Sequence, residues 1–499
     1  MAAPIRLLTA LVPALFATQS IAALFPRSNE TTHLAALEAC NQLEGLLGSP
    51  LVQSSGPSYE TAATNAWNLQ NSEYQPTCVV FPTTSDHVQV AMKAIYDARS
   101  QYAVQAGSHS AMKGWNTVQD GVLIIFSNMR NATYDPVKDS IVLQPGVHWH
   151  DAVTALEPFG VAPVGGRVGD VGTGLLLGGG LSWLSPSQGY AADTFKELDV
   201  VLVTGELVTA TATNEYSDLF RALKGGGNRF GIVTRYELSP VHTGTKDNKT
   251  WFGGMMIFNS SAEALLNATA RYVREVDDPK AVILVSLINI VVGEDLVPFY
   301  LVTPFYNGPS LPDDIFGDFL SIPAVSSTLG PMSYFNVAGT LGLGNDRGYV
   351  QHFGASALLG DEDLFLDAFN HWMDFSVAYK DNFNTTTLAF TPVPNSQIQA
   401  GRAKGGNIIN PPSGGFAAVQ IYEQFKAGIT DIPQDVQGGI DVLFDQIPPS
   451  PGLPLYLNEC DSRQKVFESY GDYELLKQIY AKYDPSRFNV EHSQGPVGL

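Results

Sequence analysis

Glycine is concentrated between positions 165 and 180, where eight of sixteen residues are glycine and the run reads GGRVGDVGTGLLLGGG. This density costs backbone entropy, so the stretch must need bare amides or a close approach of the backbone. A flexible linker is the alternative, but linkers are polar, and this run carries Val168, Val171 and three leucines. The composition therefore favours a backbone cradle for a phosphate group or a ring.

Other motifs that could carry chemistry are incomplete or missing. The dinucleotide pattern G-x-G-x-x-G requires a preceding strand, but residues 172–174 are followed by glycine only at Gly178, and residues 163–166 do not form a strand pattern. Neither the P-loop pattern nor the G-x-S-x-G elbow occurs, which disfavours an ATPase and the commonest hydrolase class. His148 and His150 with Asp151 lack a complete ligand set, so no metal is assigned.

The first residues have the three-part layout of a secretory signal peptide. One cation, Arg6, precedes an apolar run over residues 7–17, and small residues follow at Ser20 and Ala22. A membrane anchor would need about 20 apolar residues, and Pro13 interrupts this run. We therefore expect a signal peptide over residues 1–22 and a secreted, extracellular protein. The Asn-x-Ser/Thr sequons predict glycosylation at Asn29, Asn131, Asn248, Asn259, Asn267 and Asn384.

Composition limits the partners of the chain. The 499 residues are 44% hydrophobic and 15% charged, which indicates two folded domains. The 49 acidic and 28 basic residues leave a net charge of -21, and such a surface repels nucleic acid and anionic lipid. The longest later apolar run, residues 281–292, is too short to span a bilayer. We expect a monomer whose partners are a small organic substrate and O2.

The chain has three cysteines, and secretion would place them in an oxidising compartment. An odd number leaves one thiol unpaired or paired between chains. Cys40 and Cys78 are the favoured pair, and their bridge would close a loop of about 40 residues, worth about 3–4 kcal/mol in the chain-entropy model. Cys460 is then expected to be free and buried.

The elements that would position these residues alternate between strand and helix in the first half of the chain. A strand over 78–81 is followed by a helix capped at Ser85 and Asp86, which places Val88, Ala91, Met92 and Ile95 on one face. Further strands are predicted over 101–105, 122–126, 141–144, 197–204, 206–212 and 230–238, and helices over 34–47, 151–159, 216–224 and 473–483.

Several stretches resemble the berberine-bridge-enzyme-like branch of the vanillyl-alcohol oxidase/p-cresol methylhydroxylase flavoproteins. They are residues 76–82 (PTCVVFP), 104–110 (VQAGSHS), 144–149 (QPGVHW), 171–180, 218–234 (DLFRALKGGGNRFGIVT) and 482–485. The resemblance implies an α+β fold with a two-subdomain FAD-binding domain of the p-cresol methylhydroxylase type over 23–242. An α/β substrate domain with an antiparallel sheet follows over 243–445, and residues 446–499 return to the FAD domain.

The resemblance also implies how FAD is held. His109 occupies the position of the family histidine that bonds covalently to the flavin 8α methyl carbon. Many members form a second bond through a cysteine, and Val168 stands at that position here, so one covalent bond is expected. The other cofactor contacts implied are Gln105, Ala106, Gly107, Ser108, Ser110, Gly169, Val171, Gly172, Thr173, Gly174, Gly178, Gly179, Gly231, Ile232, Val233 and Asn458.

The bases that the family uses in catalysis are missing. Gln188 stands near the position of a plant tyrosine, and Asn410 near that of the founding enzyme's glutamate. Glu459 is a substitute, because a carboxylate in an apolar pocket has a raised pKa, which suits a general base. Alternatively, Glu459 faces solvent or pairs with Arg463. Tyr456 is the other catalytic candidate.

Three functions remain open from the sequence. The first is a secreted FAD oxidase that takes hydride from a C–H bond of an alcohol, sugar or secondary metabolite and returns the electrons to O2 as H2O2. The second is a redox-neutral isomerase or cyclase that contains FAD, or a dehydrogenase with another acceptor, in natural-product biosynthesis. The third is a non-catalytic binding glycoprotein, which the intact glycine loops disfavour.

Overall fold

The first sheet forms where short apolar segments follow the N-terminal helix. The computed structural model describes residues 29–499, so the predicted signal peptide lies outside the described residues. The sheet contains β1 (Val52–Gln53), β2 (Cys78–Val80), β3 (Tyr102–Gln105) and β4 (Val122–Ile125), in the order β1-β2-β4-β3. Strands β2, β4 and β3 are parallel, and parallel neighbours require crossover connections such as a helix.

That crossover is the helix predicted after the first strand, Ser85–Ala98. Val88, Ala91, Met92 and Ile95 are all buried against the sheet, which confirms the predicted face. The cap is Thr84, whose hydroxyl accepts a hydrogen bond from the His87 amide, one residue before the predicted start.

The predicted disulfide ties this region to the N-terminal helix. Cys40 and Cys78 are bonded, with 38 residues of sequence separation, and this confirms the favoured pairing. Cys460 is free and buried, as expected.

A second, antiparallel sheet completes the first half of the chain. It contains β5 (Ala132–Asp135), β6 (Ser140–Leu143), β8 (Phe195–Val201), β9 (Leu207–Thr211) and β10 (Ile232–Leu238), in the order β5-β6-β10-β8-β9. Strands β8 and β9 form the predicted hairpin. Outside this sheet, β7 (Val161–Ala162) pairs with β11 (Val241–His242). The first glycine loop, residues 106–110, follows β3, and the second glycine loop, residues 165–180, follows β7.

A nine-stranded antiparallel sheet follows. Its strands are β12 (Trp251–Gly253), β13 (Met256–Phe258), β14 (Ala281–Val292), β15 (Asp295–Tyr306), β16 (Ser326–Ser327), β17 (Gly330–Met332), β18 (Gln351–Leu358), β19 (Phe383–Val393) and β20 (Phe416–Phe425). The apolar run 281–292 is thus the long strand β14. One face is covered by helices whose Leu265, Trp372 and Ile440 pack with Val285 and Leu388 of the sheet.

The helices are short in the first half and longer around the large sheet. They are α1 (Asn29–Leu47), α2 (Pro57–Thr64), α3 (Leu69–Ser72), α4 (Ser85–Ala98), α5 (Trp149–Leu156), α6 (Gly174–Leu177), α7 (Ser185–Gln188), α8 (Ser217–Ala222), α9 (Ala262–Glu275), α10 (Asp313–Ser321), α11 (Tyr334–Ala338), α12 (Glu362–Tyr379), α13 (Asn395–Ala403), α14 (Gln434–Gln446), α15 (Tyr473–Tyr483) and α16 (Phe488–His492). None of the helices within residues 29–499 is both long and apolar enough to cross a bilayer.

One hydrophobic cluster joins the two halves of the chain. It contains Leu198 of the second sheet, Ala355 and Ala418 of the large sheet, and Leu457 and Ile479 of the C-terminal segment. The C-terminal segment therefore packs back onto the first half while touching the large sheet. The fold is α+β with antiparallel sheets, in agreement with the prediction.

Candidate functional site

A large cavity lies where the glycine loops, the large sheet and the C-terminal segment meet. It encloses about 1540 Å³ of atom-free space, including its open mouth. The two glycine loops contribute a large share of the wall. The predicted residues that line it are Ala106, Gly107, Ser108, His109, Ser110, Val168, Val171, Gly172, Thr173, Gly174, Gly231, Ile232, Val233, Tyr456, Asn458 and Glu459.

The two glycine loops touch each other through bare backbone. A Cβ atom on Gly107 would lie 2.5 Å from the Gly172 nitrogen, so neither position tolerates a side chain. Ser108 takes a left-handed conformation with φ of 58°, which is uncommon without glycine. Among residues 29–499, no hydrogen bond takes up the amides of the four residues 107–110. These amides form an open set of donors of the kind that binds anions.

The cavity wall also holds an unsatisfied amide. Both side-chain polar atoms of Asn116 are buried and have no hydrogen-bond partner in the described part of the chain. Asn116 lines the cavity together with Tyr102, Asn228 and Ser493. A buried orphan amide indicates a missing polar partner. Free loop amides at one place and an orphan amide at another fit an elongated cofactor with phosphates and a polar heterocycle, as FAD has.

His109 is fixed on two sides. Its ring stacks on Trp67 with centroids 4.2 Å apart, and its Nε2 lies 2.9 Å from the carbonyl oxygen of Gly344. Because a carbonyl only accepts, Nε2 carries the proton and Nδ1 keeps its lone pair. Burial lowers the pKa of His109 from its usual value, although the bond to Gly344 opposes this. The imidazole is therefore neutral at pH 7 and competent as a nucleophile.

Glu459 and Arg167 face each other across the cavity wall. Their Oε1 and Nη2 atoms are 3.9 Å apart, and each side chain is only 12% exposed. Arg167 also donates from Nη1 to Thr391 Oγ1 at 2.9 Å. Burial raises the pKa of Glu459 to about 7, and the charge of Arg167 limits that rise. Glu459 does not pair with Arg463, which binds Asp461 and Asp441 instead.

Tyr456 and Asn458 form a fixed polar pair beside Glu459. The Tyr456 hydroxyl accepts from the Leu181 amide and from Asn458 Nδ2, both at 2.9 Å. Burial strongly raises the pKa of Tyr456, with a further rise from the charge of Glu459. Tyr456 therefore stays protonated at neutral pH and does not act as a base there.

Four residues predicted to contact the cofactor lie outside the cavity wall. Gln105 is buried and donates from Nε2 to the Asn116 carbonyl at 3.3 Å, and Gly169 donates its amide to Gly342 at 3.0 Å. Gly178 packs on the Asn458 amide, where a Cβ would lie 2.2 Å from Oδ1, and Gly179 packs on Ile409. The glycines at these places let the loop fold closely against neighbouring chain.

The positions compared with the family bases also lie elsewhere. Asn410 lines a separate cavity and donates to Asp472 at 2.9 Å. Gln188 accepts from Lys404 Nζ at 3.0 Å.

Sequence reasoning missed several residues of the cavity wall. Arg167 is the most informative, since a lone cation inside an apolar glycine run is a signal that could have identified it. Phe353 of β18 and Gln420 of β20 line the wall from the large sheet. Phe353 and Gln420 follow the ordinary alternation of a strand, so the local sequence does not indicate that they belong to a binding site.

Features predicted outside the cavity are distributed as follows. The sequons at Asn131, Asn248, Asn259 and Asn267 are exposed, whereas Asn384 is half-buried in β19 and donates from Nδ2 to Gln424 and Phe425. Asn29 begins α1.

The histidines considered for a metal do not converge. His148 Nδ1 lies 3.1 Å from Asp170 Oδ1, and His150 is exposed. Within residues 29–499 no group of three suitable ligands is found.

Comparisons with known proteins agree with this geometry. Residues 76–211 match the model of a family described as an FAD binding domain. An uncharacterized FAD-linked oxidoreductase of Arthroderma benhamiae is 31% identical over 430 residues, covering 81% of this chain and 83% of the relative. An FAD-dependent monooxygenase of Arthrobotrys oligospora is 29% identical, covering 90% and 87%. The structure of berberine bridge enzyme with (S)-reticuline has a TM-score of 0.70 at 16% identity, covering 93% and 100%.

Proposed function

Because the chain belongs to the FAD-linked oxidoreductases and shares the fold of berberine bridge enzyme, we propose that it is a secreted, glycosylated FAD oxidase of the berberine-bridge-enzyme-like branch of the vanillyl-alcohol oxidase/p-cresol methylhydroxylase superfamily. Its substrate is a small alcohol, sugar or secondary metabolite. The observation that carries the proposal is the buried carboxyl of Glu459. It lies in the wall of the same cavity as the glycine loops, and burial raises its pKa to about 7.

The residues of the cavity divide the work. A bound FAD would supply an acceptor for hydride from the substrate C–H bond and, through its reoxidation by O2, a source of H2O2. Glu459 takes the hydroxyl proton, so that an alcohol becomes a carbonyl compound. Arg167 keeps a fraction of Glu459 ionised, and protonated Tyr456 offers a fixed hydrogen bond to the substrate or cofactor side of the cavity. The loop amides at 107–110 hold the anionic part of the cofactor.

His109 is the single covalent attachment in this proposal. Its Nδ1 retains the lone pair because Nε2 donates to Gly344. Val168, in the opposite glycine loop, has no nucleophilic atom with which to form a second bond. A covalent cofactor stays with an enzyme that works outside the cell, where FAD is dilute.

The covalent claim is tested on denatured protein. Wild-type secreted protein, precipitated in acid and run on a denaturing gel, is expected to keep flavin fluorescence, and His109→Ala is expected to lose it. His150→Ala, which changes an exposed histidine in the same half of the chain, is the matched control and should fluoresce as wild type does. A colourless wild-type band would contradict the covalent bond.

The oxidase claim is tested with a panel of sugars, alcohols and phenolic metabolites. A substrate should bleach the flavin absorbance without oxygen, and admission of O2 should restore it with one H2O2 per product. Bleaching that O2 does not reverse would indicate a dehydrogenase. Conversion of a substrate without any bleaching would indicate the redox-neutral isomerase or cyclase.

A monooxygenase is the second candidate, because the relative from Arthrobotrys oligospora bears that name. The same cavity would then direct one oxygen atom into the substrate. Turnover under ¹⁸O2 separates the two functions: a monooxygenase places the label in the organic product, whereas an oxidase places it in H2O2.

A further inference from the structure

A short stretch between α11 and β18 crosses from the large sheet to the glycine loops. We call residues 342–347 the strap. The Gly342 carbonyl accepts from the Gly169 amide at 3.0 Å, and the Leu343 carbonyl accepts from the Asp170 amide at 2.8 Å. These two consecutive bonds dock the strap along the second glycine loop.

The next carbonyl of the strap reaches the first glycine loop. Gly344 is the residue whose oxygen lies 2.9 Å from Nε2 of His109. On its other side the histidine ring is covered by Trp67, whose amide donates to the Ser108 carbonyl at 3.0 Å. The imidazole is thus held between an indole ring and a strap carbonyl, and both its rotation and its tautomer are set.

Arg347 locks the strap to both loops at once. Its Nη2 lies 2.8 Å from Asp170 Oδ2 in the second loop and donates to Ser108 Oγ in the first loop at 3.3 Å. Ser108 is the residue with the left-handed backbone, so this bond falls where the first loop is conformationally costly. Asp170 is further held by His148.

We propose that the strap positions His109 for covalent attachment of the flavin, so that a segment of the second half of the chain controls a modification in the first half. The inference rests on the proposed bond through His109. Joining Nδ1 to the 8α methyl carbon breaks one C–H bond and forms one C–N bond; the proton goes to solvent, and the two electrons remain on the flavin until O2 takes them as H2O2. The strap acts by holding Nε2–H, so that the lone pair of Nδ1 has one direction.

Gly344 allows a precise test. Its φ is +64°, and a Cβ there would lie 2.3 Å from Val168 Cγ1, so Gly344→Ala must displace the strap or the Val168 side chain and also strains the backbone at this position. Displacing a reacting group by about 1 Å can slow a step by about 10²-fold, and we expect covalent attachment to slow on that order. Gly348→Ala is the matched control, since Gly348 has the same left-handed backbone with φ of +87° and nothing within 4 Å of the added Cβ.

Two further variants separate the displacement of the strap from the backbone strain that an alanine causes at position 344. Val168→Ala in the Gly344→Ala background removes the clashing Cγ1 atom and is expected to restore most of the attachment rate. Arg347→Met should slow attachment, whereas Arg130→Met, which removes a surface Arg–Asp pair in the first half of the chain, should not.

Attachment is followed without reference to turnover. Flavin-free protein is mixed with FAD, and the fraction of chains that carry the added mass of FAD after denaturation is measured against time by intact-protein mass spectrometry. Flavin absorbance before denaturation reports total binding. We expect Gly344→Ala to bind FAD while its covalent fraction rises slowly.

The outcomes separate this inference from the proposed function. Wild-type protein that never gains the mass of FAD would refute the His109 bond itself. Wild-type protein that gains it, with Gly344→Ala and Gly348→Ala reacting at equal rates, would overturn the role of the strap alone. A Gly344→Ala protein that binds no flavin would assign the strap to binding and would also overturn the proposal.

Discussion

At the scale of single residues, the ionisation of Glu459, the proposed base, is expected to set the pH range of activity. A general base works when deprotonated, so kcat/KM should rise with pH through the pKa of about 7 that burial gives Glu459. Glu459→Gln removes the base but keeps the shape and one hydrogen-bond acceptor. We expect kcat/KM to fall by about 10²–10⁴-fold and the acidic limb of the pH–rate profile to disappear. The measurement is the rate against pH at limiting and at saturating substrate.

The control for this variant is Glu468→Gln, which neutralises an exposed carboxylate of the same segment, one that pairs with Lys465 on the surface. It should leave the profile unchanged. A Glu459→Gln enzyme with wild-type kcat/KM and an unchanged acidic limb would remove Glu459 from the mechanism.

At the scale of elements, the segment that carries Glu459 is held against the end strand of the large sheet. The Gln464 side chain accepts from the Ala355 amide at 2.9 Å and donates to the Ala355 carbonyl at 2.7 Å. These are the hydrogen bonds that a neighbouring strand would otherwise make at this edge of the sheet. His352, on the opposite face of β18 from Phe353, lies 2.7 Å from Glu423 and 2.8 Å from Asp461. This buried triad joins β18, β20 and the C-terminal segment.

The triad makes stability depend on pH in a defined direction. The two carboxylates outweigh burial and raise the pKa of His352 from 6.5 to about 9. A raised folded-state pKa means that the stabilisation is complete below about 6.5 and is lost as pH rises through about 9. His352→Gln should therefore lower the free energy of unfolding by about 3 kcal/mol at pH 6, with the deficit shrinking as pH rises from about 6.5 to about 9.

Denaturant unfolding of wild type and His352→Gln at several pH values measures this difference. His150→Gln changes an exposed histidine and should show no such dependence. A constant deficit across the pH range would mean that packing, and not the charge of His352, stabilises the segment.

The elements also separate what sequence could predict from what it could not. The face of α4, the β8–β9 hairpin and α15 follow local periodicity and turn residues, and the glycine loops follow local composition. The strap could not be predicted from the sequence, because a polar glycine-rich connection resembles an ordinary surface turn. Its contact with His109 also joins residues that are 235 positions apart. Arg167 was missed for the same reason: its partners Thr391 and Glu459 are remote in sequence.

At the scale of the whole molecule, the cavity is built by all three parts of the chain, which also share one hydrophobic cluster. A ligand that binds the folded state but not the unfolded chain stabilises it, by about 2.7 kcal/mol at a free concentration of 100 Kd. Bound FAD should therefore stabilise the packing of these three parts of the chain against one another. The covalent bond proposed for His109 would make this stabilisation permanent.

Thermal unfolding of two variants tests this coupling. The Tm of wild-type holoprotein should not change with added FAD, because the cofactor cannot dissociate. The Tm of His109→Ala should fall when free FAD is removed and rise with the logarithm of its concentration, since the loop amides and Asn116 are left in place to bind it without a covalent bond. Riboflavin, which lacks the phosphates and the adenine, should raise that Tm less. A His109→Ala protein whose Tm ignores FAD would mean that the cavity does not link cofactor binding to folding, whereas a wild-type Tm that climbs with added FAD would mean that the cofactor exchanges.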